Sequence, residues 1–260
     1  MTTRTAAVAG MFYPGEPDRL AATVRQLLAD SEPAPAAHPK ALIVPHAGYV
    51  YSGPIAASAY RQLDGVAERI SRVVLLGPAH RVPLIGMAFP SVDSFAVPGG
   101  DVPLDRAAIA AALELPGTCV SDEAHAFEHC LEVQLPFLQA VLGSFQLVPM
   151  VVGRASAMEV ARVLECLWGG DETLIVVSSD LSHYLPYDHA RRVDAHTTAK
   201  ILARATDLTG EEACGAYAIN GLLLAARGYG LSVHSLDVRN SGDTAGDRRQ
   251  VVGYGSYALD

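Results

Sequence analysis

A chain of 260 residues, half of them hydrophobic and with a mean hydropathy of +0.22, is long and apolar enough to bury a large core as a single α/β domain over residues 1–260. Its net charge of −9, pI of about 5.4 and scattered Lys and Arg argue against nucleic-acid binding. No stretch nears the roughly 18 consecutive apolar residues of a membrane helix, and the opening Met1-Thr2-Thr3-Arg4-Thr5-Ala6 lacks the apolar core of a signal peptide, so the expected compartment is the cytosol.

Residues 1–16 read as an irregular arm with a turn at Pro14-Gly15. Pro17 then opens a helix at its favoured first position, with Leu20, Val24, Leu27 and Leu28 as its apolar stripe. A Pro/Ala-rich connector over 31–39, with a solvated His38, leads to the apolar run Leu42-Ile43-Val44, which stops at Pro45-His46. A helix over 54–63 follows, then the run Val73-Val74-Leu75-Leu76 leading to Gly77-Pro78-Ala79-His80. Residues 84–89 suit a strand, 93–101 turns, and 104–115 an Ala-rich helix. Over 125–138, Leu131, Leu135 and Leu138 fall at helical spacing and face the core; Glu128 and Glu132 would share another face, which puts Glu132 at the surface.

Residues 146–152 read as a strand and 157–168 as a helix, and a third apolar run, Leu174-Ile175-Val176-Val177, ends in Ser178-Ser179-Asp180-Leu181-Ser182-His183. Helices over 187–205, carrying surface residues His189 and His196, and over 211–227 precede strands over 232–238 and 250–259, which flank a polar loop at 239–247. This alternation predicts an α/β sandwich, with one central, mostly parallel or mixed sheet flanked by helices.

Three of the apolar runs end in a histidine: His46, His80 and His183. A run of about five apolar residues is a buried strand, and ligand crevices in open α/β sheets lie beyond the carboxyl ends of strands. Neutral imidazoles suit Fe(II), Zn(II) or Cu(II), and two with one carboxylate leave positions open for substrate. The carboxylates at hand are Glu128, Asp180 and Asp243; His183 is then free as a proton-transfer group. Glu128-His129 is a candidate to reach the site, and Tyr49 and Tyr51 are candidates to hydrogen-bond substrate. The four cysteines, without CxxC spacing, read as free thiols, with Cys130 a core residue. Ser178 or Ser179 with Asp180 and His183 lies too close in sequence for a hydrolase line-up, and no GxSxG elbow or phosphate loop is present.

Taken together, Ala9-Gly10-Met11-Phe12-Tyr13-Pro14, Pro45-His46-Ala47-Gly48-Tyr49, Gly77-Pro78-Ala79-His80, Glu128-His129 with Leu131-Glu132-Val133-Gln134-Leu135-Pro136-Phe137, and Ser178-Ser179-Asp180-Leu181-Ser182-His183-Tyr184 resemble the Memo family, of the AmmeMemoRadiSam system protein B type. The resemblance implies a fold like that of class III extradiol ring-cleaving dioxygenases and a non-haem Fe(II) site, with Cu or Zn as alternatives. His46 and His80 match its pocket histidines, and Asp180 and His183 match its acidic residue and catalytic-type histidine. It also implies AMMECR1-like and radical SAM proteins as partners.

The position matching the animal members' metal-site cysteine is Thr244, so Asp243 is the expected third ligand, with Thr244 beside the substrate. The function expected is a metal-dependent oxidoreductase of dioxygenase type. The alternative is a non-catalytic module that binds a peptide or small ligand.

Overall fold

The computed structural model describes residues 2–32 and 38–260; the centre of the Pro/Ala-rich connector, 33–37, lies outside the described residues. β1 (Thr3–Arg4) and α1 (Pro17–Ala29) precede β2 (Ala41–Val44) and α2 (Tyr49–Tyr60). β3 (Arg72–Pro78) is followed by the short strands β4 (Met87–Phe89), β5 (Ser94–Phe95) and β6 (Val102–Pro103). Then come α3 (Arg106–Leu113), β7 (Thr118–Val120), α4 (Asp122–Ala126), α5 (Leu135–Leu142), β8 (Gln146–Val152), α6 (Ala157–Leu167) and β9 (Thr173–Ser178). β10 (His183–Leu185), α7 (Tyr187–Leu202), α8 (Ala216–Gly228), β11 (Val233–Asn240) and β12 (Val251–Leu259) follow.

Nine strands form one mixed sheet, ordered β10-β12-β2-β9-β3-β8-β4-β7 with β11 also on β12. Its centre, β2-β9-β3-β8, is parallel, and β12 and β4 flank it antiparallel. Every side chain of β2 and β9 is buried, which is why those strands read as unbroken apolar runs rather than as alternating ones. Helices flank the sheet: α2 lies against β2 and β12, and α8 against β3 and β9. Val44 pairs with Ser178 and Leu76 with Val177, so β2, β9 and β3 stop at nearly one level. His46, Asp180 and His80 each stand two residues past the end of their own strand, at one edge of the sheet.

Three local expectations are revised. α2 begins at Tyr49, five residues earlier than expected, with Pro54 inside it. α8 begins at Ala216 rather than 211, after a turn at 211–215. Gly215 permits that turn to close on the sheet, since a Cβ there would meet the Ser179 Cβ at 2.7 Å and the Ser178 carbonyl oxygen at 3.0 Å.

The single helix expected to carry Glu128 and Glu132 on one face does not form. The Glu128 carboxylate accepts the backbone N–H groups of His129 and Cys130, and a 3-10 turn at Glu132–Gln134 precedes α5, whose first turn holds Pro136. Glu132 is therefore not at the surface but 0 % exposed. Its carboxylate receives Nη1 of Arg4 at 2.6 Å, the Ala7 N–H at 2.7 Å, the Val8 N–H at 2.9 Å and the Tyr13 hydroxyl at 2.7 Å. The amino-terminal arm is folded around this one carboxylate, and Arg4 itself comes from a small sheet of β1, β5 and β6 that the turn-rich sequence did not announce.

Removing one member of a fully buried ion pair leaves the other charge uncompensated. Glu132→Ala is expected to lower the stability by about 3–5 kcal/mol in urea unfolding. The exposed Glu68→Ala should change it by less than about 0.5 kcal/mol.

Candidate metal centre

Three imidazoles meet at the strand ends. The rings of His46 and His80 are 5.2 Å apart between centroids, those of His46 and His129 5.4 Å, and those of His80 and His129 4.8 Å. One ring nitrogen from each can be chosen so that all three lie within 4.8 Å of one another. His46 and His80 follow β2 and β3; His129 arrives from the turn after α4.

Glu128 orients one of the rings and lies beneath a second. Its Oε1 accepts from Nδ1 of His80 at 2.9 Å, and its Oε2 accepts the His80 backbone N–H at 2.7 Å. Nδ1 of His129 lies 3.2 Å from Oε1 but without the alignment of a hydrogen bond, and it is buried with no other partner. Burial pushes the Glu128 carboxyl up, yet the nearby His129 and the ring and backbone hydrogen bonds from His80 outweigh it and hold the group far below the ordinary carboxylate range. Glu128 is thus an ionised support beneath the rings, and Cys130, close enough to complete a second donor group with it, instead directs its thiol to the Pro78 carbonyl.

The third ring has its tautomer fixed by deduction. Ser178 Oγ donates to the Cys130 carbonyl at 2.7 Å and already accepts Nε2 of Gln134 at 2.8 Å. Its contact with Nδ1 of His46, at 3.0 Å, is then satisfied by a ring N–H, which leaves the lone pair of His46 on Nε2. Burial, followed by the neighbouring His80 and His129, pushes His46 well below the ordinary imidazole range, so the ring is neutral. Nε2 faces Sγ of Cys214 at 3.3 Å. Burial and the charge of Asp180 push that thiol up to about 12.

Asp180 is buried and accepts the backbone N–H of His46 at 2.7 Å. Burial raises its pKa, against the pull of that hydrogen bond. No hydrogen bond joins it to His183 among the described residues; both line one cavity of about 1150 Å³, together with the three imidazoles, Phe12, Tyr51, Tyr184 and Tyr254. Tyr184 sits beside His183 at φ 56°, a left-handed conformation that costs a non-glycine residue energy and recurs at functional sites.

Other expected residues are elsewhere. Tyr49 is buried in α2, packs on Tyr13 and Phe137 and donates to the Val133 carbonyl, so Tyr51 lines the cavity in its place. Asp243 is not brought to the imidazoles: it takes the Tyr187 hydroxyl and the Asn240 N–H as the reciprocal half of a capping box. Thr244, next to it, donates to the Ser241 carbonyl, and neither residue lines the cavity. Gln134 and Cys214 are site residues the sequence did not announce, and Ser178, weighed there only as a nucleophile, holds His46 instead; each acts through a contact made across more than 40 residues, or 168 in the case of Cys214 and His46.

Residues 4–258 match the family model for Memo-like protein. A MEMO1 family protein of Aquifex aeolicus (strain VF5) is 37 % identical over 275 residues, covering 98 % of each chain. A MEMO1 family protein of Archaeoglobus fulgidus is 36 % identical over 264 residues, covering 95 % of each. Among solved structures, an uncharacterized protein from Escherichia coli K12 superposes with a TM-score of 0.56 at 14 % identity, over 84 % of this chain and 98 % of that one, a likeness of fold alone.

The support beneath the site sets an acid limit. His125, whose backbone carbonyl receives Nε of Arg4, is buried with Nδ1 unpartnered, and burial lowers its pKa to about 4. Its folded value lies below the unfolded 6.5, so the unfolded chain binds the proton first and stability falls as pH drops from 6.5 toward 4. Unfolding free energies from urea titrations across that range should fall at up to about 1.4 kcal/mol per pH unit from this group, and His125→Gln should flatten that part of the profile.

Proposed function

The chain belongs to the Memo-like protein family, and from that premise we propose that it is a cytosolic, metal-dependent oxidoreductase of dioxygenase type, with His46, His80 and His129 holding the metal. The observation that carries this reading is the convergence of three imidazoles, two of them over one buried, ionised carboxylate. A metal-binding histidine characteristically gives its second ring nitrogen to such a partner. The donor set fits the group: neutral imidazole suits Fe(II), Zn(II) and Cu(II), and three such donors leave positions open.

Fe(II) is the occupant we propose, and when bound it would polarise an oxygen of the substrate and supply one-electron chemistry. The chain's own residues do the rest. Glu128 and Ser178 fix the rings of His80 and His46, so binding entails little reorganisation. His183, on the cavity wall beside Asp180, holds or moves a proton at its imidazole. Phe12, Tyr51 and Tyr184 give the cavity aromatic walls against which a flat substrate can stack.

The half-open rim, where Tyr51 and Tyr184 are exposed, also suits a second reading, a non-catalytic module that holds a peptide or small ligand. The two part on metal content. Protein purified without oxygen should carry near-equimolar iron by mass spectrometry, and His46→Ala and His80→Ala should carry none while remaining folded. Metal-free parent protein that still folds would overturn the oxidoreductase reading. Glu128→Gln should keep the fold and lose about 10–100-fold in metal affinity.

A further inference from the structure

Tyr184 stands where the backbone resists it and where folding gains little from it. β10 and β12 pair His183 with Val252 and Leu185 with Val251, so two steps along β10 match one along β12 and Tyr184 is the extra residue of a β-bulge. Its φ of 56° is one of two left-handed values at non-glycine positions among the described residues. The other belongs to Arg204, just past the end of α7, where that conformation is an ordinary helix stop. Tyr184 ends no helix, and a bulky side chain makes the left-handed region costly. The folded chain gains little from the ring itself. It is 69 % exposed, and its hydroxyl makes no hydrogen bond among the described residues. What the bulge achieves is direction: the ring stands edge-on to His183, at 5.8 Å between centroids, on the wall of the metal cavity. Bulges recur beside functional sites because they re-aim a side chain.

We propose that Tyr184 is the specificity-determining residue of this cavity: its ring lies against a planar ligand anchored at the imidazole centre and selects it over a puckered ligand of equal size. The inference rests on the metal reading given above, which supplies the anchor; the selection belongs to Tyr184. Aromatic rings in offset or edge contact attract one another beyond the area they bury, and a saturated ring lacks that attraction. Ligand contact, rather than folding, then sets the residue at this position, and the backbone strain persists because the site needs the ring there. Stability and binding pull in opposite directions at such a residue.

The test uses the full chain loaded with Zn(II), which is redox-inert, and two hydroxamates that share one metal-binding group. Benzohydroxamate carries a flat ring, and cyclohexanecarbohydroxamate a puckered ring of the same size. Calorimetry on the parent should show the flat ligand preferred. In Tyr184→Ala and Tyr184→Gly that preference should fall by about two- to tenfold, while Tyr184→Phe should retain it. In urea, Tyr184→Gly should unfold at a higher midpoint than Tyr184→Ala, the reverse of their order in an ordinary strand. An equal preference in the parent and Tyr184→Ala, or a parent that binds Zn(II) but neither hydroxamate, would overturn the role of Tyr184 and leave the imidazole centre standing. A Tyr184→Ala midpoint at or above that of Tyr184→Gly would remove the strain on which the assignment rests. A parent that binds no Zn(II) would remove the anchor, and the selection with it.

Discussion

The level at which three neighbouring strands stop is the constraint on which everything else rests. β2, β9 and β3 are parallel and in register, and each is followed after two residues by a polar side chain: His46, Asp180 and His80. Because β2 and β9 are buried on both faces, the point where each apolar run gives way to polar residues fixes its level in the sheet. The same burial that secures the core thus aligns the chemistry.

Two carboxylates four residues apart finish the job in opposite directions. Glu128 and Glu132 both lie out of water, and each is met by several donors. Hydrogen bonds to a charged group contribute roughly 1.5–3 kcal/mol each, which is what offsets the desolvation of a buried charge. Glu128 spends its oxygens on the rings and backbone of the site; Glu132 spends its own on the arm. The turn between them replaces the expected helix because the Glu128 carboxylate takes the His129 and Cys130 N–H groups that a helix would have used, while Glu132 turns inward to the N–H groups of the arm.

What was legible in the sequence was periodicity and punctuation. Apolar runs of strand length ending in Pro45-His46, Gly77-Pro78-Ala79-His80 and Ser178-Ser179-Asp180 located the sheet's polar edge, and hence His46, His80 and Asp180. Glu128 and His129 were legible as a polar pair in an apolar setting, though their division of labour, one supporting and one joining the ring cluster, was not. Buried polar contacts leave no periodic trace: the Glu132 network reaches back 119 residues or more, and Cys214 meets His46 across 168. Asp243 misled because a carboxylate in a polar loop before the last strand reads the same whether it binds a metal or caps a turn; its partner Asn240, three residues earlier, was the sign of a cap. Tyr49 misled because α2 starts five residues before Pro54, which turns its ring into the core.

The cavity is walled by Phe12 on one side and Tyr254 on another, residues separated by nearly the whole described chain. Between them the imidazoles enter at 46, 80 and 129. No stretch leaving the ribosome early therefore contains an assembled centre: until β12 has emerged and paired with β2, His46 follows a strand at the edge of an incomplete sheet. Contacts this distant in sequence also slow folding, since long loops must close before they reward closure. Maturation of the site is a late event in the life of each molecule, and a newly made chain passes through a period in which its donors exist but do not yet form a pocket.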